Sequence, residues 1–175
     1  MIYFVRHGQT TNNAAFLLGG DSGLSELGHE QADQAAEIFK DTPLDVIFVS
    51  TYKRTLQTAQ HINKYHNVPI LADARLKERY FGDLELSDER TLNLKQIWDL
   101  NNEQLIPKVE TISDLIARVT DFLQYLKTNY PNKNILIVSH RGLGRFFEYA
   151  HGKRPASGNL LDWGLNNGEY YTYEN

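Results

Sequence analysis

The sequence predicts an α/β fold, a three-layer α/β/α sandwich with a mostly parallel central sheet, and three observations predict it. Residues 2–5, 46–49 and 135–138 (IYFV, VIFV and ILIV) are short, continuous apolar runs rich in β-branched and aromatic residues, the pattern of strands buried on both faces. Segments of helical periodicity lie between them. No repeat, low-complexity tract or Pro/Gly-rich linker divides the 175 residues, so the alternation of β and α patterns belongs to a single domain, 1–175.

Taken in order, the first strand is followed by a helical pattern over residues 25–40, which sets Ala32, Ala35, Ala36 and Phe39 on one side. Residues 52–65 follow the second strand, with Leu56, Ala59 and Ile62 at helical spacing. A third helix starts near Thr111, where Asp114 completes a capping pattern, and carries Leu115, Ile116, Val119, Phe122, Leu123 and Leu126 before Pro131-Asn132 ends it. A fourth, over about 142–150, leaves the third strand directly. Tyr170 to Tyr173 reads as a final short strand after the turn Asn166-Asn167-Gly168. In residues 87–107, Leu92, Leu94, Ile97, Trp98 and Leu100 suggest a helix that lids the site, and 83–107 is read as a lid or substrate-specificity segment.

Composition excludes several functions. With 18 Lys plus Arg against 22 Asp plus Glu, the net charge of −4 gives no general pull toward nucleic acid or anionic lipid, so neither is expected as a partner. Any anion site must be a local concentration of Arg, Lys and His. The absence of cysteine excludes disulfides, thiolate metal sites and a Cys nucleophile, and fits a reducing cytosol. The apolar start stops at Arg6, too short for a signal or membrane segment, so a cytoplasmic location is expected.

Ligands of open parallel sheets gather beyond the carboxyl ends of the strands. There the sequence delivers Arg6-His7-Gly8 after the first strand, Ser50 with Arg54 one helical turn on after the second, and Ser139-His140 after the third. Singly, either histidine reads as a satisfied structural residue. Together, two imidazoles and two guanidiniums at one sheet edge repel unless an anion compensates, and their donors suit a phosphate group. No histidine pair has metal-ligand spacing. His7, Glu78 and His140 as a hidden metal triad is the minority alternative, and His29, His61, His66 and His151 read as surface or helix-face residues.

The set resembles the histidine phosphatase superfamily, also called phosphoglycerate mutase-like. The resemblance runs through Arg6-His7-Gly8-Gln9-Thr10 and Asn13, residues 24–28 (LSELG), Gln31-Ala32, Ser50, Arg54-Thr55, Gln57-Thr58-Ala59, residues 76–82 (LKERYFG) and Val138-Ser139-His140. It implies a phosphohistidine formed on His7, phosphoryl oxygens held by Arg6, Arg54 and His140, and Glu78 as proton donor and then base. Gly8, Thr10, Asn13 and Arg141 are the expected substrate contacts. Neither metal nor other cofactor is implied, and the partner is a small phosphorylated substrate; the oligomeric state is not legible.

Glu85 is the alternative to Glu78, since Asp83, Glu85 and Glu89 crowd the same stretch. Two departures matter. Arg141 follows His140 where family members often carry Gly, adding charge toward the substrate mouth. After Gly82 the chain is acidic and short where the mutase branch inserts basic residues, and Phe81 stands in place of Tyr, so hydrolysis is favoured over phosphoglycerate mutase-type transfer. A non-catalytic phospho-ligand module is the third reading.

Overall fold

The computed structural model describes residues 1–100 and 106–174. The strands are β1 (Ile2–Arg6), β2 (Val46–Val49), β3 (Ile70–Ala72), β4 (Ile135–Ser139) and β5 (Tyr170–Tyr173). The helices are α1 (Thr11–Ala14), α2 (Glu26–Phe39), α3 (Lys53–Asn63), α4 (Leu94–Ile97), α5 (Ile112–Asn129) and α6 (Arg141–Ala150), with short 3-10 turns between them. Sheet order is β3-β2-β4-β1-β5, all parallel except β5, which runs antiparallel to β1.

Alternation along the strands divides the interior in two, because successive side chains point to opposite faces. Phe4, Phe48, Ile135 and Ile137 pack with Leu115, Val119, Phe122 and Leu126 of α5 and with Leu143, Phe146 and Phe147 of α6. Val5, Ile47, Val49, Leu136 and Val138 pack on Ala35, Ala36 and Phe39 of α2 and Ala59 and Ile62 of α3. Those are the three layers expected from the sequence.

Two readings need correction. Ile70-Leu71-Ala72 forms an edge strand that the sequence pattern does not predict; it is short and mostly exposed, so it carries no buried-run signal. The lid is not one long helix. Residues 89–91 make a 3-10 turn and, among the described residues of this segment, only Leu94–Ile97 is α-helical, while Ile97 and Trp98 turn inward to join the core. Part of that expected helix, residues 101–105, lies outside the described residues.

Strand register brings the site's loops together. Arg6 pairs with Ser139 and Val49 with Val138, so β1, β2 and β4 end level with one another. The loop after β1 is clamped to α2: Gln9 N–H donates to Gln31 Oε1 at 2.8 Å, and Ser25, which caps α2 through the Gly28 N–H, donates its hydroxyl to Gln9 Oε1 at 2.9 Å. A Cβ on Gly8 would stand 2.2 Å from the Gly28 carbonyl oxygen, and one on Gly28 would stand 1.9 Å from that of Gln9. Both close approaches are to backbone, which cannot swing aside.

Gly28→Ala is therefore expected to destabilise the protein by about 1–3 kcal/mol, as overpacking does. Urea unfolding checks it: the midpoint falls with little change in slope. A variant as stable as the parent would show that the β1 loop is not held by this contact.

Candidate active site

Arg54, in the first turn of α3, is the centre of the site. Its Nε–H points at two imidazoles at once, lying 3.1 Å from His7 Nε2 and 3.2 Å from His140 Nδ1. A single donor facing two ring nitrogens requires both nitrogens to carry lone pairs. His7 is then protonated at Nδ1, which donates to the Gly8 carbonyl at 2.7 Å, leaving Nε2 unprotonated with its lone pair turned to Arg54.

His140, the residue before α6, is by the same logic protonated at Nε2, which donates to Ser50 Oγ at 2.8 Å. Ser50 Oγ also accepts from the Tyr52 N–H, and so donates to Thr55 Oγ1 at 3.0 Å; Thr55 passes its own proton to the Tyr52 carbonyl at 2.8 Å. Thr55 Oγ1 also lies 3.1 Å from the Ser50 carbonyl, a second acceptor for the same proton. Ser50 and Thr55 thus fix the His140 ring.

Both rings are essentially buried and held well below the ordinary imidazole value of 6.5, first by burial and next by the Arg54 charge; Arg6 adds to both. Arg6 itself is pushed down to about 10, by burial and then by Arg141. Its Nη1 donates to the Leu165 carbonyl at 2.9 Å, but its buried Nε has no acceptor, an unmet donor at the end of β1. Arg54 Nη1 donates to the Gly20 carbonyl at 2.6 Å, with Asp21 3.9 Å away.

Glu78 and Glu85 have separate positions. Glu78 lines the cleft, where its Oε2 accepts from the Gly142 N–H at 3.0 Å and its Oε1 from the Arg79 N–H at 2.9 Å. A Cβ on Gly142 would stand 2.3 Å from that carboxylate and 2.6 Å from the Trp98 ring, so the first turn of α6 is cut to fit the acid. Glu85 instead accepts from Gly20 and Phe81 N–H groups, at 2.6 and 3.0 Å, and ties two loops together. Of the two, Glu78 lines the cleft together with His7, and Glu85 does not.

The cleft measures about 430 Å³ and is lined by Arg6, His7, Asn13, Arg54, Glu78 and Arg141 from the expected set. Gly8 and Thr10 do not line it. Gly8 abuts Gly28, and Thr10 caps α1 by accepting from the Asn13 N–H at 3.0 Å, while Asn13 Oδ1 accepts from Thr10 N–H. Both residues build the loop and do not face a ligand. His140 is screened behind Arg54, to which it presents Nδ1. A metal between His7, Glu78 and His140 would meet the Arg54 Nε–H where it needs lone pairs, and among the described residues no metal-binding group of three is present.

Two contributors were not legible in the sequence. Arg145 lines the cleft, as does Trp98 of the expected lid. Asn167, read only as part of a turn, donates its Nδ2–H to the His7 carbonyl at 2.9 Å and so holds the backbone of His7. The usable signal was the polar Asn166-Asn167 pair preceding the last strand.

Comparison with known proteins agrees with the geometry. Residues 2–174 match the histidine phosphatase superfamily (branch 1). A phosphatase of Bacillus subtilis named PhoE is 35% identical over 143 residues, covering 79% of this chain and 70% of its own. A 2,3-bisphosphoglycerate-dependent phosphoglycerate mutase of Chelativorans is 34% identical over 156 residues, covering 79% and 75%. Among solved structures, a mycobacterial glucosyl-3-phosphoglycerate phosphatase complexed with VO3 superposes with a TM-score of 0.81 at 26% identity, covering 97% of this chain and 88% of that one.

Because the folded protein refuses protons that the unfolded chain accepts on His7 and His140, stability is expected to be full above pH 6.5 and to fall as pH drops below it. The slope is up to about 1.4 kcal/mol per pH unit for each ring. Nitrogen-15 spectra check the cause directly: both rings should keep neutral-imidazole shifts at pH 5.5, and titration of either near 6.5 would contradict it.

Proposed function

The chain belongs to the histidine phosphatase superfamily (branch 1), and from that premise we propose how its residues hydrolyse a phosphomonoester. It is a phosphoric monoester hydrolase, as its phosphatase relatives indicate. The observation that carries the mechanism is the Arg54 Nε–H shared between two neutral imidazoles, which keeps His7 Nε2 unprotonated at the wall of a cationic cleft, where a phosphoryl group displaces the Arg54 contact.

His7 Nε2 attacks phosphorus, the bond to the leaving oxygen breaks, and Glu78 gives that oxygen its proton. Water then attacks the phosphohistidine, Glu78 takes the water's proton, and phosphate leaves with His7 restored. Arg6 and Arg54 carry the charge that develops on the equatorial phosphoryl oxygens. Since guanidiniums supply this charge, turnover needs no divalent metal in the scheme.

Hydrolysis is preferred over transfer to a second hydroxyl because of the acidic stretch beyond Gly82. Asp83 pairs with Lys108 on the surface, Glu85 is a loop tie, and the residue this stretch adds to the cleft is the acidic Glu89. None of these retains a phosphorylated intermediate. A small phosphorylated metabolite suits the cleft volume. A cytoplasmic site of action is part of the same proposal, supported by the cysteine-free sequence.

With p-nitrophenyl phosphate in EDTA, the parent is expected to turn over and His7→Ala to lose about 10³-fold or more in kcat. A strict metal requirement, or an undiminished variant, would sink the mechanism. Glu78→Gln should slow alkyl phosphates by about 10²–10⁴-fold but p-nitrophenyl phosphate far less, because p-nitrophenolate leaves without a proton. Equal losses on both substrates would remove Glu78 from the acid role. A coupled assay for phosphoryl transfer between hydroxyls of a phosphorylated sugar acid separates the mutase alternative.

A further inference from the structure

Beyond the two arginines at the phosphoryl position, the cleft holds two more, one helical turn apart on α6: Arg141 and Arg145. Arg145 is 4% exposed, yet among the described residues it has no ion-pair partner. Its Nε donates to the Trp163 carbonyl at 3.0 Å and its guanidinium lies 4.3 Å from the Trp98 ring centroid, so neutral groups hold it. A buried guanidinium without a carboxylate is costly to a fold that gains nothing else from it. Burial, followed by the Arg141 charge, lowers it to about 10, in keeping with two cations sharing a site.

Arg141 is exposed and donates to no described group, and its direction is set by Gly164. That glycine has φ +148°, and a Cβ there would stand 2.7 Å from Arg141 Nε, so the Arg141 stem lies along the 163–168 loop, beside the carbonyls that hold Arg145 and Arg6.

Charge balance points the same way. Four guanidiniums line the cleft against Glu78 and Glu89, a net of +2, and the net becomes +3 when Glu78 carries the proton it delivers. A phosphomonoester supplies close to −2. Glu89 borders the cleft and offsets part of the Arg145 charge, without an ion pair to it. One positive charge is still unmatched, and it lies toward α6.

We propose that Arg141 and Arg145 form a second anion subsite, so that the substrate is a phosphomonoester bearing a second negative group, a carboxylate or a further phosphate. The proposal rests on the reading of this cleft as a phosphoester site. Arg145, over the indole of Trp98, gives the subsite a fixed wall; Arg141, at the rim, closes on the second anion as it enters.

The test uses ω-carboxyalkyl phosphates and α,ω-alkanediol bisphosphates with one to four intervening methylenes, each against the n-alkyl phosphate of equal length. At one length, kcat/KM for a doubly anionic compound should exceed that of its alkyl partner by roughly 10- to 100-fold, the worth of charge-assisted hydrogen bonds. Which series shows the preference identifies the second group. Arg141→Gln and Arg145→Gln should each bring the ratio to within about threefold of unity; Arg141 is exposed, so its variant is informative even if the other fails to fold.

A ratio near unity at every length in the parent, or ratios unchanged in the folded variants, overturns the subsite. Calorimetric binding of the same compounds to His7→Ala protein separates this from the hydrolytic reading. Selective binding without turnover in the parent would keep the subsite and defeat hydrolysis; turnover without selectivity would do the reverse.

Discussion

One hydrogen atom governs the arrangement of this site. The Nε–H of Arg54 lies between two imidazole nitrogens, and neither ring can take a proton on that side without repelling the guanidinium. The rings are therefore locked in opposite tautomers, and each must dispose of its remaining N–H elsewhere. His7 uses its own neighbour's carbonyl and His140 uses Ser50, behind which Thr55 and Tyr52 complete the chain. The unprotonated state of His7 Nε2 is fixed by hydrogen-bond geometry.

The same economy holds for the arginines. Arg6, Arg54 and Arg145 are oriented by the carbonyls of Leu165, Gly20 and Trp163, dipoles that direct a guanidinium without neutralising it. Apart from the long 3.9 Å pair of Arg54 with Asp21, no ion pair with a described carboxylate takes up their charge, which stays available to an anion. The large cost of burying them is offset by two cores, one on each face of the sheet, which hold the strand ends level.

Much of this was legible in the sequence. The three central strands are continuous apolar runs and the helices α2, α3 and α5 keep strict periodicity, so the layers and the strand-end cluster of Arg6, His7, Arg54 and His140 could be placed from residue order. The edge strand β3 was not legible, because a half-exposed tripeptide has no pattern to distinguish it from a loop. Arg145 was hidden for a different reason: within α6 it reads as the polar face of an amphipathic helix, and only the tertiary position of Trp98 and Trp163 turns that face inward. The lid reads as a long helix since Leu92, Ile97 and Trp98 are spaced like one, while in the fold Trp98 is drawn into the core by Phe81, Phe146 and two guanidiniums.

Gly142 has a consequence for how such a protein diversifies. It sits between Glu78 and the indole with no space for even a methyl group, whereas its neighbour Arg141 is exposed at the rim of the cleft. Substitution in this dipeptide is thus unequal: the outer side chain can be exchanged with little displacement of its surroundings, whereas any side chain at the inner position must push aside Glu78 or Trp98.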